Sequence, residues 1–136
     1  MSQIYFNLPV TDLTKATAFY EAIGFTKNEQ FSDANASGLD YDANLKVMLL
    51  THDFTKKFLP SDKLVADSHK TCQVLNALQF DTKSQVDDFF DKAIAAWGKP
   101  TIPTQDHGFM YGKDFEDLDG HIREGFWMDV NEIPQQ

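Results

Sequence analysis

Residues 4–25, IYFNLPVTDLTKATAFYEAIGF, decide how the chain is read. In the opening IYFNLPV, alternation sets Ile4, Phe6, Leu8 and Val10 on one face of a strand, fit to pack under a helix, with Tyr5 and Asn7 pointing the other way. Thr11 and Asp12 are N-cap types, and Leu13, Ala16, Tyr20 and Ile23 then recur at helical spacing. Gly24 stands where a left-handed residue ends a helix. Strand candidates follow at 25–31, 37–41 and 45–50, with Asp42, Ala43 and Asn44 giving turn chemistry between the last two.

The same order recurs in the second half. A strand candidate at 73–80 leads to Thr82 and Gln85, the spacing of a capping box. Val86, Phe89, Phe90, Ala93, Ile94 and Trp97 form a helical stripe closed by Gly98. Strand candidates return at 101–104, 108–112 and 121–128, and Asp117, Asp119 and Gly120 mark a tight turn into the last. The predicted fold is therefore α+β, a single domain over 1–136 built of two βαβββ modules, 1–50 and 71–136. Each sheet would have one face under its helix and the other bare. Two sheets curled into a cup with the helices outside solve that problem, and the half-apolar hollow is a natural ligand site. The connection at 51–70 is polar, lysine-rich and contains Pro60; it reads either as a flap or as a plain solvated link, and Phe54, Phe58 and Leu59 suit a short amphipathic turn.

Composition excludes several classes. A chain of 136 residues with 42% hydrophobic content buries roughly two-thirds of its unfolded surface and needs no disulfide or metal to fold. Cys72 stands alone, which fits a reducing, cytoplasmic setting. No apolar run approaches the ~20 residues of a membrane span, and the start of the chain lacks a basic stretch leading into an apolar core, so neither membrane insertion nor secretion is expected. Twelve basic residues face 21 acidic ones, for a net charge of −9, which argues against nucleic acid as a partner. Twelve phenylalanines exceed what a small core asks for and suit the lining of an apolar pocket.

The segment 121–128, HIREGFWM, carries the most informative side chain. Alternation puts Glu124 on one face with Ile122 and Phe126, and His121, Arg123, Gly125 and Trp127 on the other. A carboxylate in such company must meet a cation, accept strong hydrogen bonds or take up a proton. Tyr5 and Asn7 are its expected companions in the hollow. The histidines show no HxxxH, HxH or CxxC-type spacing. His107 is the best placed of them, with Asp106, Gly108, Phe109 and Tyr111 around it near a rim. Nucleotide-binding glycine loops, GxSxG and an activated cysteine are absent from the sequence.

NLPVTDLTKATAFYEAIGF at 7–25 and FEDLDGHIREGFW at 115–127 resemble the opening strand–helix and the closing hairpin of the vicinal oxygen chelate superfamily, which includes glyoxalase I, extradiol dioxygenases and bleomycin-resistance proteins. The resemblance implies paired βαβββ modules forming a cup, usually within a homodimer. In metal-dependent members, one side chain from the first and one from the last strand of each module hold a divalent ion. Glu124 falls at the last of these positions. The others fall at Tyr5, with Asn7 one inward step along, at Met48 or Leu49, and near Leu75, beside Asn76. Met and Leu are not donors for zinc, nickel or iron. The resemblance thus implies a small-molecule binder with no cofactor, in which Glu124, Asn7 and Tyr5 fix a polar group, Met48, Leu75, His107, Phe109 and Tyr111 line the site, and the acidic balance suits a cationic ligand. The alternative is a metal-dependent lyase or isomerase like glyoxalase I, or a dioxygenase, with Glu124 as ion ligand or catalytic base and the missing donors coming from His107 or a second chain.

Overall fold

A computed structural model describes residues 2–135. The chain divides into two compact units, Met1–Thr71 and Cys72–Gln136. The first contains β1 (Ile4–Val10), α1 (Leu13–Ala22), β2 (Thr26–Asn28), β3 (Ala36–Asp40), β4 (Leu45–Thr51) and a short α2 (His52–Lys56). Its sheet runs β1-β4-β3-β2, with β1 parallel to β4 and the other pairs antiparallel. The second contains β5 (Leu75–Gln79), α3 (Lys83–Ala95), β6 (Lys99–Pro100), β7 (Gln105–Asp106), β8 (Met110–Glu116) and β9 (Ile122–Met128). Its order is β5-β9-β8-β6, with β7 also on β8 and β5 parallel to β9. The two sheets follow the same permutation, as the repeated sequence predicts.

In the first unit α1 is started by Asp12, whose carboxylate accepts the Lys15 amide at 3.0 Å. Its buried face meets Leu8, Val10, Leu39, Val47 and Leu49, and edge-to-face contacts join Tyr20 to Phe19 (5.5 Å) and Phe25 (5.3 Å). Buried Thr17 and Ser37 share a hydroxyl hydrogen bond of 2.7 Å. In the second unit the Thr82–Gln85 capping box forms, with both bonds near 3 Å. Val86, Phe89 and Ala93 are buried, and Phe89 contacts Phe80 (5.1 Å) and Phe115 (5.2 Å). Among the described residues no helix is long and apolar enough to cross a membrane.

Several local expectations change. The segment 25–31 is a strand only over Thr26–Asn28, because the Asn28 side chain accepts the Gln30 amide at 3.1 Å and starts a 3-10 turn through Phe31. The expected strand at 101–104 is replaced by two stubs on either side of it: Pro100 and Pro103 lack the N–H that a ladder needs, and the Pro103 carbonyl instead accepts the Gln105 side chain at 3.0 Å. Within 51–70, Thr51 caps α2, and Phe54 and Phe58 meet edge to face at 5.2 Å.

The end of α3 departs most. The turn there is a Schellman motif, Gly98 donating to Ala93 (2.8 Å) and Trp97 to Ile94 (3.1 Å). The left-handed position belongs to Trp97, at φ 77°, one residue before the expected Gly98; at the end of α1 Gly24 does take it, at φ 112°. Trp97 is also 85% exposed, outside the core stripe that its spacing suggests. Backbone strain is thus accepted with little packing in return. Trp97→Gly is expected to raise unfolding stability by about 1 kcal/mol, read as a higher urea midpoint with an unchanged slope.

Candidate functional site

In each unit the helix covers one face of the sheet and leaves the other free of helix. On the free face of the second sheet lie Ile122, Glu124, Phe126 and Met128 of β9, Met110, Gly112, Asp114 and Glu116 of β8, and Leu75, Ala77 and Gln79 of β5, by register. Glu124 therefore shares its face with Ile122 and Phe126, while Arg123 is buried on the α3 side.

Directly across from Glu124 stands Asp114, a residue the sequence reading did not single out. Asp114 is buried, and Glu124 is half-buried beside it. Burial pushes both carboxyls above their ordinary range, and for Glu124 the charge of Asp114 adds to the shift. Gly112 lies next to the Glu124 carboxyl on this face, where a Cβ would make ordinary contact with Glu124 Oε1 at 3.7 Å. The hairpin arithmetic could have found Asp114, because the Asp117–Gly120 turn fixes Glu116 opposite Ile122 and two steps back bring Asp114 opposite Glu124.

The other predicted residues distribute as follows. Leu75 lies on the Glu124 face but opposite Ile122; the residue opposite Glu124 on β5 is Ala77, because the parallel register places it there. Asn76 falls on the α3 side and is buried. Tyr111 also faces α3, where its hydroxyl donates to Asp87 at 2.6 Å. Lys113 reaches the same carboxylate at 2.9 Å, so Asp87 ties α3 to β8. Lys83 lies over the rings of Trp127 (5.0 Å) and Tyr111 (5.8 Å). The Tyr111 hydrogen bond, then Lys113, hold the Asp87 carboxyl below its usual range; the same bond raises Tyr111, and Asp87 raises Lys113. His107 is exposed at the β7–β8 tip with Phe109 half-buried next to it, their rings 6.4 Å apart. Asp114 lies four residues along β8 from Met110, roughly 13 Å from that tip.

In the first unit, Tyr5 and Asn7 occupy the helix-free face as expected, Asn7 opposite Met48 and Tyr5 opposite Lys46. Leu49 is buried on the α1 side. Lys46 is held by Asp40 at 3.2 Å, and Asp40 in turn accepts the Asn28 side chain at 3.4 Å. The positions that the resemblance assigns, Tyr5, Met48 or Leu49, Leu75 and Glu124, do not pair across the register: Tyr5 stands opposite Lys46, Met48 opposite Asn7, Leu75 opposite Ile122 and Glu124 opposite Ala77. Among the described residues no three His, Cys, Asp or Glu side chains come together as an ion would require. This donor set does not fit a divalent metal.

Over residues 3–37 the chain matches the bleomycin resistance protein-like N-terminal family. No curated protein matches it in sequence. Solved structures align along almost the whole length. A hypothetical protein from S. aureus aligns with a TM-score of 0.77 at 26% identity, covering 93% of this chain and 94% of that one. A glyoxalase/bleomycin resistance protein/dioxygenase family enzyme from Burkholderia phytofirmans gives 0.79 at 20% identity, covering 95% and 100%. A genomically encoded fosfomycin resistance protein from Listeria monocytogenes gives 0.69 at 20% identity, covering 97% of each chain. At such identities the likeness is one of fold.

Asp114 and Asp87 have opposite pH signatures. Asp114 has a raised folded pKa, so its contribution to stability is full below the unfolded carboxyl range and is lost as pH rises through the folded value. Asp114→Asn should therefore stabilise the protein near neutral pH, by on the order of 1 kcal/mol, and the gain should vanish in acid. Asp87 has a lowered pKa, so its contribution is full above the unfolded range and is lost as pH falls through the folded value. Asp87→Ala should destabilise by about 1 kcal/mol near neutrality and less in acid. Urea unfolding of both variants at the two pH values checks the signs.

Proposed function

We propose that this chain, which has the vicinal oxygen chelate fold, binds a small organic molecule on the helix-free face of its second sheet and does so without a metal ion. The observation that carries the reading is Glu124 with Asp114: two carboxyls of raised pKa on a face shared with Ile122 and Phe126. A fold can dispense with such groups, and their cost in burial is what a binding face accepts for the sake of its ligand. Glu124 fixes a polar group of the ligand, and Phe126 and Ile122 supply the apolar contact. Asn7 and Met48, at the matching register positions of the first sheet, offer an amide and a thioether in place of strong ion ligands, which supports a metal-independent role. Proteins named for resistance to bleomycin and to fosfomycin share this fold, and a small molecule is accordingly the ligand class assigned here.

Two measurements test this. After dialysis against nickel, zinc and iron(II), bound metal per chain should be far below one equivalent, and Glu124→Ala should not change it. One equivalent of ion, lost in that variant, would sink the metal-free reading. In a thermal-shift screen of metabolites and drugs, a ligand at about 100 times its Kd stabilises the native state by roughly 2.7 kcal/mol. Hits should weaken about tenfold or more in Glu124→Gln and Phe126→Ala.

A further inference from the structure

We propose that Asp114 and Glu124 together form a seat for an organic ammonium group, so that the ligand of this face is a protonated amine. The inference rests on the small-molecule reading above and narrows it to a chemical class.

Three observations carry it. The first is the state of Asp114, which is 9% exposed and whose carboxyl meets no hydrogen-bond or ion-pair partner among the described residues. Buried carboxylates are ordinarily satisfied by donors. Asp117, at the end of the same hairpin, is buried and shows the ordinary pattern, accepting the amides of Asp119 and His121 at 2.9 Å each. Asp114 lacks such donors among the described residues, its carboxyl oxygens keeping some contact with solvent, and its side chain is directed to the face where Glu124 stands.

The second is the distribution of the lysines. Lys113, the immediate neighbour of Asp114, points to the other side of the sheet and is engaged by Asp87 at 2.9 Å. On the Asp114 face, Lys99 of β6 stands opposite Glu116, one cross-strand row away. Thr101, which follows β6 and donates its amide to the Asp114 carbonyl at 3.5 Å, Gln79 of β5 and Gln105 of β7 are further polar residues of this face, and none bears charge. Like charges set opposite each other on adjacent strands repel, and no protein cation lies in their row to offset them.

The third is the shape and chemistry of the surroundings. The neighbours of the two carboxyls on this face, Gly112 and Ala77, are small, and Phe126, one inward step along β9, gives an aromatic surface. Anionic acceptors next to an aromatic ring are the elements that recognise an ammonium, which donates three hydrogen bonds and is drawn to the ring. A hard divalent ion asks for about six oxygen ligands, and no third metal-ligating side chain joins this pair among the described residues. An ammonium asks for less.

Benzylamine is a suitable probe, with benzyl alcohol as its neutral counterpart and magnesium and zinc chloride as the inorganic cations. Binding is followed by amide NMR shifts of the full chain near neutral pH. Benzylammonium should move the amides of β8 and β9 around Asp114 and Glu124, and bind roughly tenfold or more tightly than benzyl alcohol. Asp114→Asn and Glu124→Gln should each weaken benzylammonium by a similar factor and narrow its advantage over benzyl alcohol, with spectra elsewhere reporting an intact fold. Equal affinity for the two probes, or an Asp114→Asn variant that binds benzylammonium as the parent does, overturns the ammonium seat. Benzyl alcohol shifts that centre on Phe126 would then still uphold the small-molecule reading. Silence from both organic probes on this face, joined to an empty metabolite screen, defeats both readings. Saturation of the pair by one magnesium or zinc ion per chain overturns the inference in favour of a metal.

Discussion

Each unit depends on the parallel pairing of its first strand with its last. Parallel neighbours cannot be joined by a tight turn, so the chain must leave the sheet, cross over and return. In the first unit α1 makes the crossover between β1 and β2, and in the second α3 does so between β5 and β6. The crossover helix also covers one face of its sheet, which is why Leu8, Val47 and Leu49 are buried in one unit and Phe115 in the other. The opposite face is left without a helical cover, and the strand period of two decides what is displayed there. Buried Arg123 and half-buried Glu124 are neighbours in sequence and lie on opposite sides for this reason alone.

Two aspartates of the second unit, Asp87 on α3 and Asp114 on β8, sit in opposite surroundings. Asp87 stands where a tyrosine hydroxyl and an ammonium converge on it, an arrangement that stabilises its charge and fastens helix to strand. Asp114, on the far side of the same strand pair, has only burial and a neighbouring acid. The module thus carries one aspartate engaged by donors and one without them on opposite faces of the same sheet.

Much of this was legible in the sequence, because the features concerned are local. The alternation of IYFNLPV, the helical stripes and the Thr82–Gln85 box each depend on residues close in the chain, and the repeated order of elements showed that the two halves are alike. The face of Glu124 followed from parity. What stayed hidden depends on pairing between distant segments. The placement of Ala77 rather than Leu75 beside Glu124 is a matter of parallel register, which has no tight turn to fix it. Tyr111 looks like a rim residue in sequence, yet its partner Asp87 lies 24 residues away on a helix. Trp97 was missed for a different reason, since a large aromatic at helical spacing suggests core while the backbone there called for a left-handed residue.

The interrupted outer strand of the second sheet has a consequence for behaviour in solution. Lys99–Pro100 and Gln105–Asp106 offer only two residues of ladder each, and Pro100 and Pro103 remove donors that an incoming strand would seek. A foreign strand thus finds no continuous template along this border, and with a lysine and an aspartate among the paired residues, fibrillar growth from it is blocked by both geometry and charge. The border that is least regular as secondary structure guards the folded chain against aggregation.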